Sequence, residues 1–171
     1  IRLTVTNYML VAHPSVRAST LKELIELARS RPDALSYGSA GLGSPHHLSA
    51  ELLKTRTGIN MVHVPYKGGG PSTVAVLSNE VQVLIGSLSS LLPHVKTGRI
   101  KAMAVTGASR SAAAPEIPTI SESGLAGFDV TSWFGMLVPA HTPERIVTTL
   151  YETNLKILEM ADIQEAIEVA M

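Results

Sequence analysis

The sequence has no cysteine, few aromatic residues and no excess of either charge. Because cysteine is absent, the chain forms neither disulfide bonds nor metal sites built from thiolates. Fourteen Lys and Arg residues balance fourteen Asp and Glu residues, so the formal net charge is zero. Such a chain has no basic surface that would attract a phosphate backbone over long range, and no nucleic acid is a predicted partner. No apolar run approaches the roughly 20 residues that a membrane-spanning helix needs.

The 171 residues are 45% hydrophobic, which is typical of a folded domain with a substantial core. Strand-like segments alternate with segments whose apolar residues recur at helical spacing. This alternation predicts an α/β fold with helices packed on a sheet. The predicted strands comprise residues 2–12, 35–39, 60–66, 81–85, 100–106 and 128–139.

Capping residues and prolines mark where helices begin and end. Thr20 and Glu23 have the spacing of a capping box and predict a helix that starts at residue 21 and stops before Pro32. Thr119 and Glu122 repeat the spacing and predict a further helix of one or two turns.

The chain is organised around residues 36–48, SYGSAGLGSPHHL, which predict a strand end, a glycine-rich turn and a helix start. Ser44 stands at the N-cap position and Pro45 at the first helical position, where its missing N–H costs nothing. The glycines lack the Cβ atoms that would block unusual backbone angles or the close approach of a ligand. Free backbone N–H groups and serine hydroxyls in such a turn suit a carboxylate or a phosphate.

Two further small-residue turns follow the next two strands. Residues 67–72, KGGGPS, include Gly68 and Gly69, and residues 86–90, GSLSS, include Gly86 and Ser87. If the preceding strands are parallel and adjacent, all these turns lie at the carboxyl edge of the sheet, where open α/β sheets bind ligands. For any one such turn, a tight connection without a ligand is the alternative.

Nucleotide-binding and hydrolase motifs do not fit these turns. A dinucleotide fingerprint needs glycine where the chain has His46, no Gly-Lys pair supports a P-loop, and no G-x-S-x-G marks a nucleophile elbow. A Ser44 nucleophile with His47 as its base is the enzymatic alternative, although no third orienting acid is evident. We expect a binding protein with no catalytic activity, no cofactor and no metal ion.

Several sequence blocks recur in one family of receptors. They are YGSAGxGSxxHL (37–48), MVHVPYKGG (61–69), LPHV (92–95), PTxxExG (118–124), SWFG (132–135) and PAxTP (139–143). On these blocks the chain resembles the extracytoplasmic solute receptors of tripartite tricarboxylate transporters, the Bug or TctC-like family. The resemblance implies a lobe of the periplasmic-binding-protein type II fold, with a mostly parallel sheet, plus part of a second lobe.

The resemblance further implies a periplasmic, two-lobed receptor that closes on a small organic carboxylate and delivers it to membrane permease subunits. The expected ligand is a di- or tricarboxylate or an acidic amino acid. In this family, backbone amides and small hydroxyls at strand-to-helix turns hold the carboxylate. The ligand-binding residues implied here are Ser39, Ala40, Gly41, Gly43, Ser44, His47, Gly68, Gly69, Gly86 and Ser87.

Two departures from the family follow from the same comparison of motifs. The N-terminal half-lobe of the family has no counterpart in this sequence, and Gly86 stands where an aspartate is common. We expect residues 1–12 to cross between lobes, 13–127 to form the ligand-binding lobe, and 128–171 to belong to an incomplete first lobe. Apolar helix faces after Pro143 would then be exposed, so the alternative is a non-binding interaction domain that self-associates as a homo-oligomer.

Overall fold

The computed structural model describes residues 1–170, which form a six-stranded sheet with helices on both faces. The strands are β1 (Arg2–Ala12), β2 (Ser36–Ser39), β3 (Val62–Pro65), β4 (Val83–Ser87), β5 (Lys101–Val105) and β6 (Thr131–Gly135). The helices are α1 (Leu21–Ser30), α2 (Pro45–Thr57), α3 (Gly69–Leu77), α4 (Leu88–Lys96), α5 (Glu144–Leu158) and α6 (Ala161–Ala170). Residue 171, the last of the predicted region 128–171, lies outside the described residues.

The sheet is mixed: β1 runs against its neighbours and its pairings are antiparallel, whereas the pairings of β2 are parallel. Its order is β3-β2-β4-β1-β5, and β6 pairs with the outer part of β1. β2 is parallel to both β3 and β4, whereas β1 is antiparallel to β4 and to β5. β2, β3, β4 and β5 therefore point the same way, and their carboxyl ends share one edge of the sheet.

β1 lies inside the sheet, between β4 and β5, and its residues 8–12 are buried on both faces. Tyr8, Leu10 and Ala12 join the core that lies beneath α1 and α2. Met9 and Val11 join a second core, beneath α3 and α4. Successive side chains of a strand alternate between its faces, so this one segment supplies both layers of packing. Its near-continuous apolar sequence follows from that double burial.

The amino-terminal part of β1 leaves the central sheet and pairs with β6, with Val5 opposite Trp133. Thr106, fully buried after β5, ties this junction together. Its Oγ donates a hydrogen bond to Val130 O at 2.6 Å and accepts one from Tyr8 N at 3.1 Å. The segment that leads into β6 is thereby held beside the middle of β1.

Local capping sets the helix boundaries that the sequence predicts. At the start of α1, Thr20 Oγ accepts a hydrogen bond from Glu23 N at 3.2 Å. α2 begins after Ser44, whose Oγ accepts from His47 N at 3.3 Å, and it ends at Gly58, which has a φ of 68°. Both predicted helix starts are confirmed.

The turn predicted at residues 86–90 is wrong, because the pairing between β4 and β1 continues through it. Gly86 is aligned with Met9, and Ser87 with Tyr8, so both residues lie inside β4. α4 begins at Leu88, directly after the strand. Small residues favour a turn locally, but hydrogen bonding to β1 overrides that preference.

The short helix predicted from residue 119 also does not form. Its capping box is present, since Glu122 Oε2 accepts from Thr119 N at 2.8 Å and Thr119 Oγ accepts from Glu122 N at 2.9 Å. The residues that follow make hydrogen-bonded turns only, and Gly124, with a φ of 110°, ends them. A capping motif satisfies the first N–H groups of a helix but cannot supply the turns beyond it.

β6 and α5 expose several apolar side chains, and those of β6 lie on both of its faces. α5 buries none of its residues. Trp133 and Phe134 of β6 are 56% and 60% exposed, and Ile146 and Tyr151 of α5 are 47% and 50% exposed. We call these four residues together with Val147 the β6–α5 surface. An apolar stripe on a helix normally packs against another element, so this surface is unusual for a monomer.

Shortening a buried side chain of β1 should destabilise the fold. Leu10→Ala is expected to lower the free energy of unfolding by about 2 to 5 kcal/mol, since it removes a fully buried side chain and leaves a cavity. Leu42→Ala, at a position that is 77% exposed, is the matched control and should change it by less than about 0.5 kcal/mol. Urea unfolding followed by circular dichroism measures both. Equal unfolding free energies for the two variants would contradict the burial of the Leu10 side chain in the core.

Candidate functional site

The predicted turns meet at the carboxyl edge of the sheet. β3 lies on one side of β2, and β4, the next strand along the chain, lies on the other. Pairing between β2 and β4 extends only as far as Gly38 and Leu84, so the two strands separate beyond these residues. This reversal of strand order around β2 is a topological switch point, where open α/β sheets form ligand-binding crevices. Ser39 and the turn after it lie at this crevice.

The glycine turn, residues 39–44, has two positions with left-handed backbone angles. Gly41 has a φ of 118° and Gly43 a φ of 73°. Side chains rarely adopt such angles, so glycine is required at both positions. No atom lies within 4 Å of a Cβ built on Gly43, so the backbone angle alone imposes glycine there.

Three N–H groups of the glycine turn, those of Gly41, Gly43 and Ser44, already have hydrogen-bond partners. Gly41 N donates to Ser39 Oγ at 3.1 Å, and Ser44 N donates to Gly41 O at 3.2 Å. Gly43 N donates to His47 Nδ1 at 3.2 Å, and His47 N donates to Ser44 Oγ at 3.3 Å. The sequence predicts a set of unpaired N–H groups here. The structure differs because serine and histidine side chains of the turn act as acceptors.

Three N–H groups around the turn have no hydrogen-bond partner within residues 1–170, namely those of Ala40, Leu42 and His46. These are the backbone donors open to an anion. The N–H of Gly43 becomes available only if the ring of His47 moves away from it. Residues 39–44 therefore lie at the crevice, but fewer of their N–H groups are free than expected.

Three rings stack behind the glycine turn, in the order Tyr37, His63, His47. The ring centroids are 4.9 Å apart between Tyr37 and His63, and 4.4 Å apart between His63 and His47. His63 Nε2 shares a hydrogen bond of 2.7 Å with Ser39 Oγ. Two histidines, one from β3 and one from α2, therefore contact the turn and fix its shape.

Burial and neighbouring charges shift the titration of this cluster. Burial holds the pKa of His63 below its ordinary value, and the charge of His47 lowers it further. Burial, together with a hydrogen bond of 2.5 Å to Glu51 Oε1, raises the pKa of Tyr37. Burial acts to raise the pKa of Glu51, but hydrogen bonds from Lys54 and Tyr37 outweigh it and the pKa is lowered.

The second and third predicted turns contribute unequally to this edge. Gly68, with a φ of 110°, precedes α3, and Gly69 is the first residue of that helix. Gly86 faces the core, since a Cβ built on it would stand 3.0 Å from Leu91 Cδ1. Ser87 ends β4 and is the one residue of this predicted pair with a side chain at the carboxyl edge.

The hydrogen bond that a hydrolytic Ser44–His47 pair requires is not formed. Ser44 Oγ donates to Gly41 O at 2.7 Å, and His47 Nδ1 accepts from Gly43 N. Among the described residues, no group of three histidine, cysteine, aspartate or glutamate side chains is placed to hold a metal ion. None of the described helices has both the length and the hydrophobicity needed to cross a membrane.

A cavity of about 490 Å³ lies away from this crevice. Its lining includes Ser15, Arg17, Arg31 and Gln82. These residues follow the carboxyl end of β1 or precede the amino ends of β2 and β4, so the cavity lies at the opposite edge of the sheet. It is separate from the three predicted turns.

The sequence model of a family described as "Tripartite tricarboxylate transporter family receptor" matches residues 1–170. The chain belongs to this receptor family. A relative from Pseudomonas sp. (strain P51), "UPF0065 protein in tcbD-tcbE intergenic region", is 35% identical over 161 residues, which are 94% of this chain and 48% of the relative. Protein BugT of Bordetella pertussis is 32% identical over 158 residues, 92% of this chain and 48% of BugT. The chain thus spans about half the length of the curated receptors that it matches.

Solved structures of similar receptors have the same fold. "R. palustris Rpa4515 with adipate" has a TM-score of 0.92 and 34% identity, over 99% of this chain and 57% of that chain. MatC from Rhodopseudomonas palustris with bound malate has a TM-score of 0.90 and 28% identity, over 99% of this chain and 58% of that chain. The periplasmic binding protein BugD has a TM-score of 0.90 and 29% identity, over 99% of this chain and 56% of that chain. The periplasmic-binding-protein-like architecture that the sequence predicts is confirmed.

Sequence reasoning missed the contribution of His63 to the glycine turn of this receptor. A histidine inside a strand is more often a structural residue than a ligand or a base. The parallel register aligns Tyr37 with His63 and thereby brings the imidazole beside Ser39. The position of His63 in the strand after the turn could have indicated that it lies near the turn. The register between β2 and β3, which brings it beside Ser39, is not visible in a local pattern.

The lowered pKa of His63 predicts that the receptor loses stability as the pH falls from 7.5 to 5.5. An unfolded histidine takes up a proton near pH 6.5, whereas folded His63 stays neutral to a lower pH, so protonation favours the unfolded chain. His63→Gln should reduce this loss, because glutamine does not titrate. Urea unfolding at four pH values measures it, with His141→Gln at an exposed position as the control. An unchanged pH dependence in His63→Gln would contradict the prediction.

Proposed function

We propose that the chain contains the ligand-binding lobe of a periplasmic receptor that captures a small carboxylate for a tripartite transporter. The observation that carries this proposal is the meeting of three helix starts, those of α2, α3 and α4, at one edge of parallel strands. Each helix start carries partial positive charge and unpaired N–H groups, which favour an anion. Because the formal net charge is zero, the ligand would be selected by the local field of these helix starts and not by the overall charge of the chain.

Backbone donors are the main support for a carboxylate at this site. The N–H groups of Ala40, Leu42 and His46 have no partner among the described residues, and Ser44 and Ser87 stand at the starts of α2 and α4. Each hydrogen bond to a charged group contributes about 1.5 to 3 kcal/mol. A few such bonds give micromolar affinity, about −8 kcal/mol, after the cost of ordering the ligand and the turn.

The solved relatives support a dicarboxylate as the ligand class, since two of them are named with adipate and with malate. The family description supports delivery to the membrane subunits of a transporter. BugD, named as a periplasmic binding protein, supports the same compartment for this chain. No enzymatic step is required for this function.

A two-lobed arrangement would close over the open carboxyl edge. In the proposed division, residues 1–12 cross between lobes, 13–127 form the ligand-binding lobe and 128–171 belong to the other lobe. Residues 8–12 of the crossing strand also lie inside the ligand-binding sheet, while residues 2–7 pair with β6. A crossing strand that is fixed in both lobes would couple the closure of one lobe over the other to the position of the glycine turn.

Gly43→Val should abolish carboxylate binding while leaving the fold intact. A β-branched side chain strains the left-handed backbone angle of Gly43 and covers the donors of the turn. Gly58→Val is a matched control, because Gly58 has a similar φ of 68°, has equally open surroundings and lies at the far end of α2. Calorimetric titration with adipate, malate, citrate and glutamate measures binding. Equal affinities in the two variants would remove the glycine turn from the site.

A second candidate function is self-association through the β6–α5 surface. It is favoured by the exposure of Trp133 and Phe134 beside a helix that buries no residue. A second copy of the chain would cover these side chains, and burial of apolar area stabilises such contacts by about 25 cal/mol per Å². This association is compatible with ligand binding, because the surface lies on β6 and α5 rather than at the carboxyl edge.

Self-association predicts a molar mass that rises with concentration. Light scattering coupled to size exclusion should show dimers or larger species at high concentration, and Tyr151→Glu should shift the population to the monomer by placing a charge on the surface. Glu152→Gln, which alters a neighbouring exposed residue of α5 without adding an apolar contact, is the control. A monomer at every concentration would exclude this function.

A further inference from the structure

His46 stands where the predicted turns come together, although sequence reasoning gave it no role in binding. It is the second residue of α2 and follows the glycine turn. Its Cε1 is 3.3 Å from the position that a Cβ on Gly69, the first residue of α3, would take. Its ring meets the ring of Tyr8 edge to face, with 5.4 Å between centroids and 72° between planes. Tyr8 is the cross-strand partner of Ser87 at the end of β4.

The two ring nitrogens of His46 have different surroundings, and neither has a hydrogen-bond partner within residues 1–170. Nδ1 is buried without a partner, whereas Nε2 is not among the buried unpaired atoms and is therefore open to solvent. A buried N–H without an acceptor is rarer and more costly than a buried lone pair without a donor. The favoured tautomer therefore carries its proton on Nε2, so the ring presents an N–H donor to solvent.

The charge state of the ring agrees with this tautomer. Burial lowers the pKa of His46, because a charged ring would need a hydrogen-bond acceptor at Nδ1 that the protein does not supply. Near neutral pH the ring is neutral and donates at one atom only. A neutral donor orients the bound ligand and helps to select it without adding charge to the crevice.

We propose that His46 is a ligand-contacting residue whose Nε2–H donates a hydrogen bond to the carboxylate at this edge. The inference rests on the proposed function, since it requires a carboxylate ligand. The backbone N–H of the same residue is also free, so one residue would supply two donors to one anion. Gly69 is the residue that leaves room for the ring, because any side chain there would push against Cε1.

Three substitutions test the contact by calorimetric titration of the purified protein with adipate and malate. His46→Phe keeps the ring packing on Tyr8 but removes both nitrogens, and it should raise Kd about 10- to 100-fold. His46→Gln places an amide nitrogen at the position of Nε2 and should keep Kd within about threefold of the unchanged protein. His46→Asn places its amide only at the position of Nδ1 and should bind as weakly as His46→Phe.

The outcomes separate this inference from the proposed function. Failure of the unchanged protein to bind adipate, malate, citrate or glutamate would overturn the proposed function and the contact together. Binding by the unchanged protein with an equal Kd in His46→Phe would overturn the contact alone. Equal losses in His46→Gln and His46→Phe would also overturn it, because they would indicate that only ring packing matters.

A measurement on the unchanged protein keeps the inference testable if the variants do not fold. Nitrogen-15 resonances of the imidazole distinguish the two tautomers and report hydrogen bonding at each nitrogen separately. We expect the free protein to show the Nε2–H tautomer of His46. Addition of the tighter-binding acid should shift the Nε2 resonance more than the Nδ1 resonance. An unshifted Nε2 resonance at saturation would overturn the proposed contact.

Discussion

Hydrogen bonding along both edges of β1 holds this structure together. The strand runs antiparallel between β4 and β5, and its side chains enter both cores. Because β1 pairs with β4 as far as Ser87, it also fixes where β4 ends at the carboxyl edge. Its outer part pairs with β6, so the same backbone connects the central sheet to the exposed elements that follow. Displacement of this strand would move the candidate site and the β6–α5 surface together.

The glycine turn combines a fixed shape with a small number of open donors. Ser39, Ser44 and His47 accept hydrogen bonds from N–H groups in and beside it, and His63 supports Ser39 from the adjacent strand. Internal hydrogen bonds of this kind reduce the ordering cost of binding, because the turn is already close to one conformation. The bond from Gly43 N–H to His47 also means that part of the site is occupied by the protein's own side chain. A carboxylate that reached this N–H would compete with an imidazole rather than with water.

A topological switch point and three helix starts lie at one edge of the sheet. This arrangement matters because the chain is electrically neutral overall, and long-range attraction cannot concentrate an anion there. Selection of the ligand would depend on short-range donors whose positions are set by the neighbouring backbone. His46 Cε1 lies 3.3 Å from the position that a Cβ on Gly69 would take, which shows how closely two separate turns approach each other.

The sequence by itself determined the alternation of strands and helices, the caps at Thr20 and Ser44, and the glycine turn after β2. These features depend on interactions between residues fewer than five positions apart, which composition and spacing record directly. Tertiary structure alone decided that Gly86 lies inside a strand, that His63 supports Ser39, and that His46 contacts the second turn and Tyr8. Each of these depends on strand register and on packing between residues more than twenty positions apart. A local pattern carries no information on such pairings, because the hydrogen bonds that fix them form only when the whole sheet assembles.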